Sequence, residues 1–217
     1  MKNKSEALRR SILLAMLAAV AYLIVSYIRI PVVLFLKYEP KDVVITVGGF
    51  LLGPMASFII SLVVSLIEMV TVSETGPIGA LMNLLSTCAF SCTASLVYKR
   101  HRSLKGAIGG LLAGSVTMVG TMLLWNWLIT PLYMGAPREQ IQEMLIPVFL
   151  PFNALKAGLN TGLVLALYKP LTAALRKTRL LPQADHPQKT AKPGLYLFAA
   201  ALLAACVLFL LAMRGII

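Results

Sequence analysis

The chain has 217 residues, 59% of them hydrophobic and only 13% charged, with a formal net charge of +12 and a mean hydropathy of +0.84. Soluble domains are roughly 45–50% apolar, so this composition predicts an integral membrane protein and excludes a large soluble domain. A hydrocarbon core of about 30 Å takes roughly 20 apolar residues per helix, which leaves room for about six or seven spans joined by short loops.

The basic residues are clustered at the ends of apolar stretches. Lys2, Lys4, Arg9 and Arg10 precede the first; Lys99, Arg100, Arg102 and Lys105 lie in YKRHRSLK; Lys169, Arg176 and Arg179 follow a later one. Such clusters mark cytoplasmic loops and orient the chain with its N-terminus in the cytoplasm. No basic, aromatic-interleaved soluble module is present to make a nucleic-acid interface of them.

The first span runs from about Ser11 to Tyr27, too long for the apolar segment of a signal peptide. RIPVVLFLKYEPKD, with two prolines and mixed charge, reads as an outer loop. VVITVGGFLL is a short apolar run that leads to a tight turn at Gly53-Pro54. Spans follow at about Met55 to Val72, Ala80 to Tyr98 and Gly106 to Ile129. MGAPREQIQEML is amphipathic and predicts a short interfacial helix. The sixth span is FLPFNALKAGLNTGLVLALYKPL, residues 149–171. These elements make a six-helix membrane domain over residues 1–175. A polar, proline-punctuated cytoplasmic linker over 176–193 then precedes a further span over 194–217, read as a structural anchor.

Gly49-x-x-x-Gly53 and Gly110-x-x-x-Gly114 carry the spacing of close helix packing. Cys88 and Cys92, one helical turn apart in an apolar run, read as packing residues rather than a disulfide or metal site. There is no GxxxxGK[ST] loop and no HExxH, and both His101 and His186 fall in cytoplasmic loops, so the sequence points away from an enzyme, from a resident metal and from self-powered transport.

The topology leaves Lys156 as the one basic residue within the membrane. A lysine at that depth costs about 2.5–3.5 kcal/mol on insertion scales, and such residues face a cavity, a partner or a substrate path. Counted from Pro147, Lys156 lies roughly 13 Å in, too deep for easy snorkelling. Asn153 lies one turn before it on the same face. Asn126, between Trp125 and Trp127, and Asn83, after TGPIG, fall at a matching outer depth. Two readings stand: Lys156 pairs with an acid elsewhere in the fold, chiefly Glu68, with Asp42 and Glu39 of the first outer loop as further candidates, in a purely structural membrane protein; or the amides and the ammonium line a pocket open to the outside. Amides present donor and acceptor together, and the ammonium suits a carbonyl or ring nitrogen, so the pocket would take a flat, polar-edged heterocycle stacked on nearby aromatic rings.

The runs FLKYEPKDV, GGFLLGP, SETGPIGALMN, WNWLITPLY and PFNALK, in this order and spacing over residues 8–175, resemble the substrate-binding S component of energy-coupling factor (ECF) transporters, and among them the riboflavin-specific members. The resemblance implies an all-α six-helix bundle, here with an extra C-terminal helix, in a bacterial cytoplasmic membrane. It implies riboflavin as transported substrate rather than cofactor, and as partners a transmembrane coupling subunit and two ATPases. It assigns the flavin ring to Asn126, Asn153 and Lys156, with Asn83 as a further contact and the loop Leu36, Lys37, Tyr38 and Glu39 as cover. The family's AxxxA motif on the first helix, which meets the coupling subunit, matches Ala15 and Ala19. Another vitamin or a nucleobase-like compound is the alternative ligand on the same fold. The chain departs from the family at Glu39-Pro40 and at Ala80, where acidic or differently flanked residues are frequent.

Overall fold

The computed structural model describes residues 2–73, 75–177 and 193–216. The element order is α1 (Lys2–Tyr27), a hairpin of β1 (Ile30–Val33) and β2 (Leu36–Tyr38), α2 (Lys41–Leu52), α3 (Pro54–Thr71), α4 (Gly76–Arg100), α5 (Leu104–Leu128), α6 (Thr130–Met134), α7 (Arg138–Met144), a π-helical run (Leu145–Phe149), α8 (Leu150–Lys177) and α9 (Pro193–Met213). Six described helices are long and apolar enough to cross a membrane: α1, α3, α4, α5, the joined α7–α8 and α9. Val70, Val116 and Leu197 show how the bundle meets lipid, each being more than two-thirds exposed.

The element between α1 and α3 is not a span of the ordinary kind. At 12 residues, α2 is roughly 18 Å long against a core of about 30 Å, and ten of its residues are buried. It is therefore a core helix packed against α1, α3, α4 and α8. Gly53 ends it with φ 97, a conformation that a side chain would oppose, and Pro54 then starts α3 at a position where its missing N–H costs nothing.

Several starts and stops follow from local chemistry. The Ser103 side chain accepts the Gly106 N–H and caps α5, and left-handed Gly135 closes α6. Pro147 and Pro151, four apart, withhold two of the donors an α-turn needs. The backbone there widens into π-type bonding, with the Leu150 N–H reaching Leu145. The expected interfacial helix is α7, and α6 is an addition that sequence reading missed. The segment read as an outer loop is instead the antiparallel hairpin, whose register pairs Ile30 with Tyr38 and Val33 with Leu36. Residues 178–192, most of the expected linker, lie outside the described residues.

Small residues set the closest approaches. A Cβ on Gly110 would come within 2.6 Å of the Ala94 carbonyl oxygen, and one on Gly114 within 2.5 Å of that of Phe90, so α4 and α5 touch backbone to side. Gly158 and Gly162 form a matching groove on α8 for α9, where added Cβ atoms would meet Cys206 and Leu203. Buried hydroxyls join the α2–α3–α4 contact, with Thr46 and Ser91 2.7 Å apart and Ser57 and Ser95 3.2 Å apart, as small polar residues do between membrane helices. Gly110→Val is expected to destabilise the bundle by about 1–3 kcal/mol through overpacking. Gly109→Val, whose Cβ meets nothing within 4 Å, is its control. Thermal unfolding in detergent should separate the two.

Candidate functional site

One end of the bundle, where the hairpin lies over α4, α5 and the start of α8, holds a cavity of about 240 Å³. Among its lining residues are Leu36, Lys37 and Glu39 from the hairpin side, Asn83 from α4, Asn126 from α5, and Asn153 and Lys156 from α8. The sequence-nominated residues are thus brought to one place, with Tyr38 the exception. Its side chain is buried elsewhere, and its hydroxyl donates to Asn160 Oδ1 at 3.1 Å. Burial, with Asp42 close by, pushes the Tyr38 phenol above its ordinary range, so it stays a donor. Arg29, Phe35, Ser86, Tyr133 and Phe152 also line the cavity. Phe35 and Tyr133 meet edge to face with centroids 5.6 Å apart.

Each polar group arrives with part of its bonding already used. Asn126 donates to the Met122 carbonyl at 2.8 Å and accepts from the Thr130 hydroxyl at 2.9 Å, which fixes its amide plane. Asn153 donates to the Phe149 carbonyl at 2.8 Å, at the end of the π-helical run. Its Oδ1 is buried and has no hydrogen-bond partner among the described residues. An unpaired amide oxygen in such a place costs about 1–3 kcal/mol, and it sits on the wall of a cavity where a ligand N–H would relieve it.

Lys156 is held by Asp42, not by Glu68. Its Nζ lies 3.2 Å from Asp42 Oδ2 and donates to Ser86 Oγ at 3.2 Å, which leaves the third of its three N–H groups for the cavity. Asp42, fully buried in the first turn of α2, also accepts from Thr87 at 2.6 Å and from Asn160 at 3.2 Å. The alternative Lys156–Glu68 pair fails because Glu68 has another partner: both its oxygens lie 2.6 Å from Lys41 Nζ. Lys41 is itself only 1% exposed, so Lys156 is not alone as a buried cation. Glu39 bridges Lys41 at 2.8 Å and Arg29 at 3.3 Å, and Asn83 donates to Glu68 at 3.3 Å.

At the lining and just behind it, Arg29, Lys41 and Lys156 are paired with the carboxylates of Glu39, Glu68 and Asp42, and Lys37 adds a further cation to the lining. The three paired cations suit an uncharged ligand with a polar edge, since their carboxylates already answer them. The sequence offers Asp42 only as a secondary candidate for Lys156, in an outer loop, and its reading passes over Lys41 and Asn160. The last had a signal: Asn153, Lys156 and Asn160 fall at i, i+3 and i+7, one face of α8. Ala15 and Ala19 are exposed on α1, whereas neighbouring Ala21 is buried against the bundle. Among the described residues no group of His, Cys, Asp or Glu is placed to hold a metal ion.

Residues 9–168 match the family described as "ECF transporter, substrate-specific component". The chain is 27% identical over 178 residues to a protein of Staphylococcus aureus (strain TCH60) named riboflavin transporter RibU, covering 78% of this chain and 93% of the relative. It is 26% identical over 193 residues to a protein of the same name from Lactococcus lactis subsp. cremoris (strain NZ9000), with 74% and 93% covered. A solved chain described as the S component of a bacterial ECF transporter superposes with a TM-score of 0.66 at 28% identity, spanning 81% of this chain and 99% of the other. The fold, the buried polar cavity and the match over residues 9–168 agree, and the chain belongs to the family of substrate-specific components of ECF transporters.

Proposed function

We infer that this chain is the riboflavin-capturing subunit of an ECF-type vitamin importer, without enzymatic activity of its own. The observation that carries the reading is the unpartnered Asn153 Oδ1 beside a Lys156 ammonium with one donor left. The isoalloxazine edge offers an N3–H flanked by carbonyls, with an electron-rich O2/N1 region next to it, and meets that pair group for group. Asn126 supplies its remaining amide N–H along the same edge, while Phe35, Tyr133 and Phe152 flank the ring plane. Riboflavin is uncharged, in keeping with the pairing of Arg29, Lys41 and Lys156 to carboxylates of the protein. The relatives' name supports the same ligand.

The cavity faces outward in this reading, because the basic loop between α4 and α5 lies at the other end and basic loops stay in the cytoplasm. Hairpin residues Leu36, Lys37 and Glu39 then form the cover through which flavin enters. The N-terminus is cytoplasmic, and exposed Ala15 and Ala19 on α1 form the face for the membrane coupling subunit. Two ATPases bound to that subunit supply the energy, since this sequence has no nucleotide loop of its own.

The direct test is the visible absorption spectrum of detergent-purified protein, followed by titration with riboflavin against its own fluorescence. A co-purifying yellow chromophore or stoichiometric quenching is expected. Protein that is colourless and still fails to quench after bound ligand has been stripped by mild unfolding and refolding would exclude riboflavin.

A further inference from the structure

No residue of α9 lines the cavity, yet α9 reaches the cavity walls through one apolar cluster. Val32, Leu36 and Tyr38 of the hairpin and Leu155 and Leu159 of α8 are buried in that cluster together with Cys206 of α9. Leu203 and Leu210 pack against it from α9, and α9 touches β1 as well as α8. Leu36 and Phe152 belong to the cluster and to the cavity lining alike. At roughly 100° per residue, Gly158 and Gly162 lie on the side of α8 opposite Asn153, Lys156 and Asn160. Helix α9 therefore stands behind the polar face, let in by two absent side chains whose places Cys206 and Leu203 take.

We propose that α9 is a strut that seats the hairpin over the cavity, with Leu203 and Leu210 as positioning residues that slow the release of bound flavin; the effect on release rests on the riboflavin reading above. Two routes lead from α9 to the ligand groups. The apolar route runs through the cluster to Leu36 and Phe152 at the cavity wall. The polar route runs through Tyr38, whose hydroxyl donates to Asn160 Oδ1; Asn160 donates in turn to Asp42, the partner of Lys156. A hairpin lifted from α9 takes Tyr38 away from Asn160 and loosens the chain that fixes the ammonium.

A plain membrane anchor needs a long apolar helix and nothing more. Most of α9 is indeed exposed, but Ala199 and Cys206 are buried, and they lie on the one side that meets the glycines of α8. Burial confined to that side, and continued into the hairpin cluster, gives α9 a fixed seat. The packing of half-buried leucines against the cluster then favours the seated hairpin over a raised one, because raising it returns apolar surface to water.

The test uses the full chain in detergent and compares the parent, Leu203→Ala combined with Leu210→Ala, and Leu208→Ala, a control whose side chain is 58% exposed. Amide hydrogen exchange over residues 30–38 is read by mass spectrometry without ligand. Riboflavin release is read as the recovery of flavin fluorescence after dilution of loaded protein. In the double variant, hairpin exchange and flavin release are each expected to be roughly tenfold faster, the equivalent of about 1.4 kcal/mol, with the association rate little changed and the control like the parent. A general loss of stability would instead lower the fraction of protein that binds and speed exchange across α3, α4 and α5 alike. Unchanged hairpin exchange, unchanged release from a parent that does bind riboflavin, acceleration spread evenly over those helices, or the same change in Leu208→Ala would overturn the proposal. A parent that takes no riboflavin defeats the ligand reading, and hairpin exchange then decides by itself whether α9 seats the hairpin.

Discussion

Asp42→Ala is expected to destabilise the protein by about 3–5 kcal/mol, the cost of breaking a buried ion pair by removing one partner. The carboxylate is fully buried and receives Lys156, Thr87 and Asn160. Removing it leaves an ammonium in a low-dielectric interior with only Ser86 for company, together with two donors deprived of their acceptor. Asp42→Ala combined with Lys156→Met is expected to regain most of the loss, because two buried charges that need each other are then both gone. It should not regain flavin binding, since the ligand's donor is gone too. Lys156→Ala combined with Glu68→Ala is expected to show no rescue, because those residues belong to separate pairs. Unfolding in detergent and flavin quenching on the parent, these three variants and Lys156→Ala alone decide the matter: a double variant at Asp42 and Lys156 as unstable as Asp42→Ala would refute the pairing.

Asn153→Ser and Lys156→Met are each expected to weaken riboflavin binding roughly ten- to a hundredfold, the equivalent of about 1–3 kcal/mol for one lost partner in a buried site. Serine is chosen because its hydroxyl still back-bonds to the carbonyl four residues earlier. The Phe149 oxygen keeps a donor, and the end of the π-helical run should hold. What disappears is the amide oxygen that has no partner within the protein. Unchanged flavin affinity in Asn153→Ser, with thermal stability also unchanged, would show that the ligand's donor goes elsewhere in the cavity.

The long helices were readable because each is a run of about 20 apolar residues, and that pattern needs no partner to be recognised. The extra C-terminal helix α9 was readable for the same reason, although its seat on Gly158 and Gly162 was not, since those glycines lie on another helix. The hairpin was hidden by Pro31 and by mixed charge, which also mark loops. Helix α2 was hidden by its length: 12 residues preceded by Pro40 do not distinguish a buried helix from a passage between spans.

The buried charges mark the boundary most clearly. That Lys156 needs a reason to be in the membrane follows from sequence, because the cost of an ammonium in hydrocarbon is a property of the residue and its depth. Which acid answers it does not follow, because Asp42 and Glu68 are both acids at the right end and the choice depends on how α2 turns against α8. By itself the sequence determined the membrane class, the long spans, the orientation signal and the face of α8 that carries Asn153 and Lys156, all of which are local or periodic properties of one segment. Only the tertiary structure decided the ion pairing, the burial of Lys41 and the closing of residues from the hairpin, α4, α5 and α8 around one cavity. These are contacts between distant segments, and they arise from packing geometry that no single segment encodes.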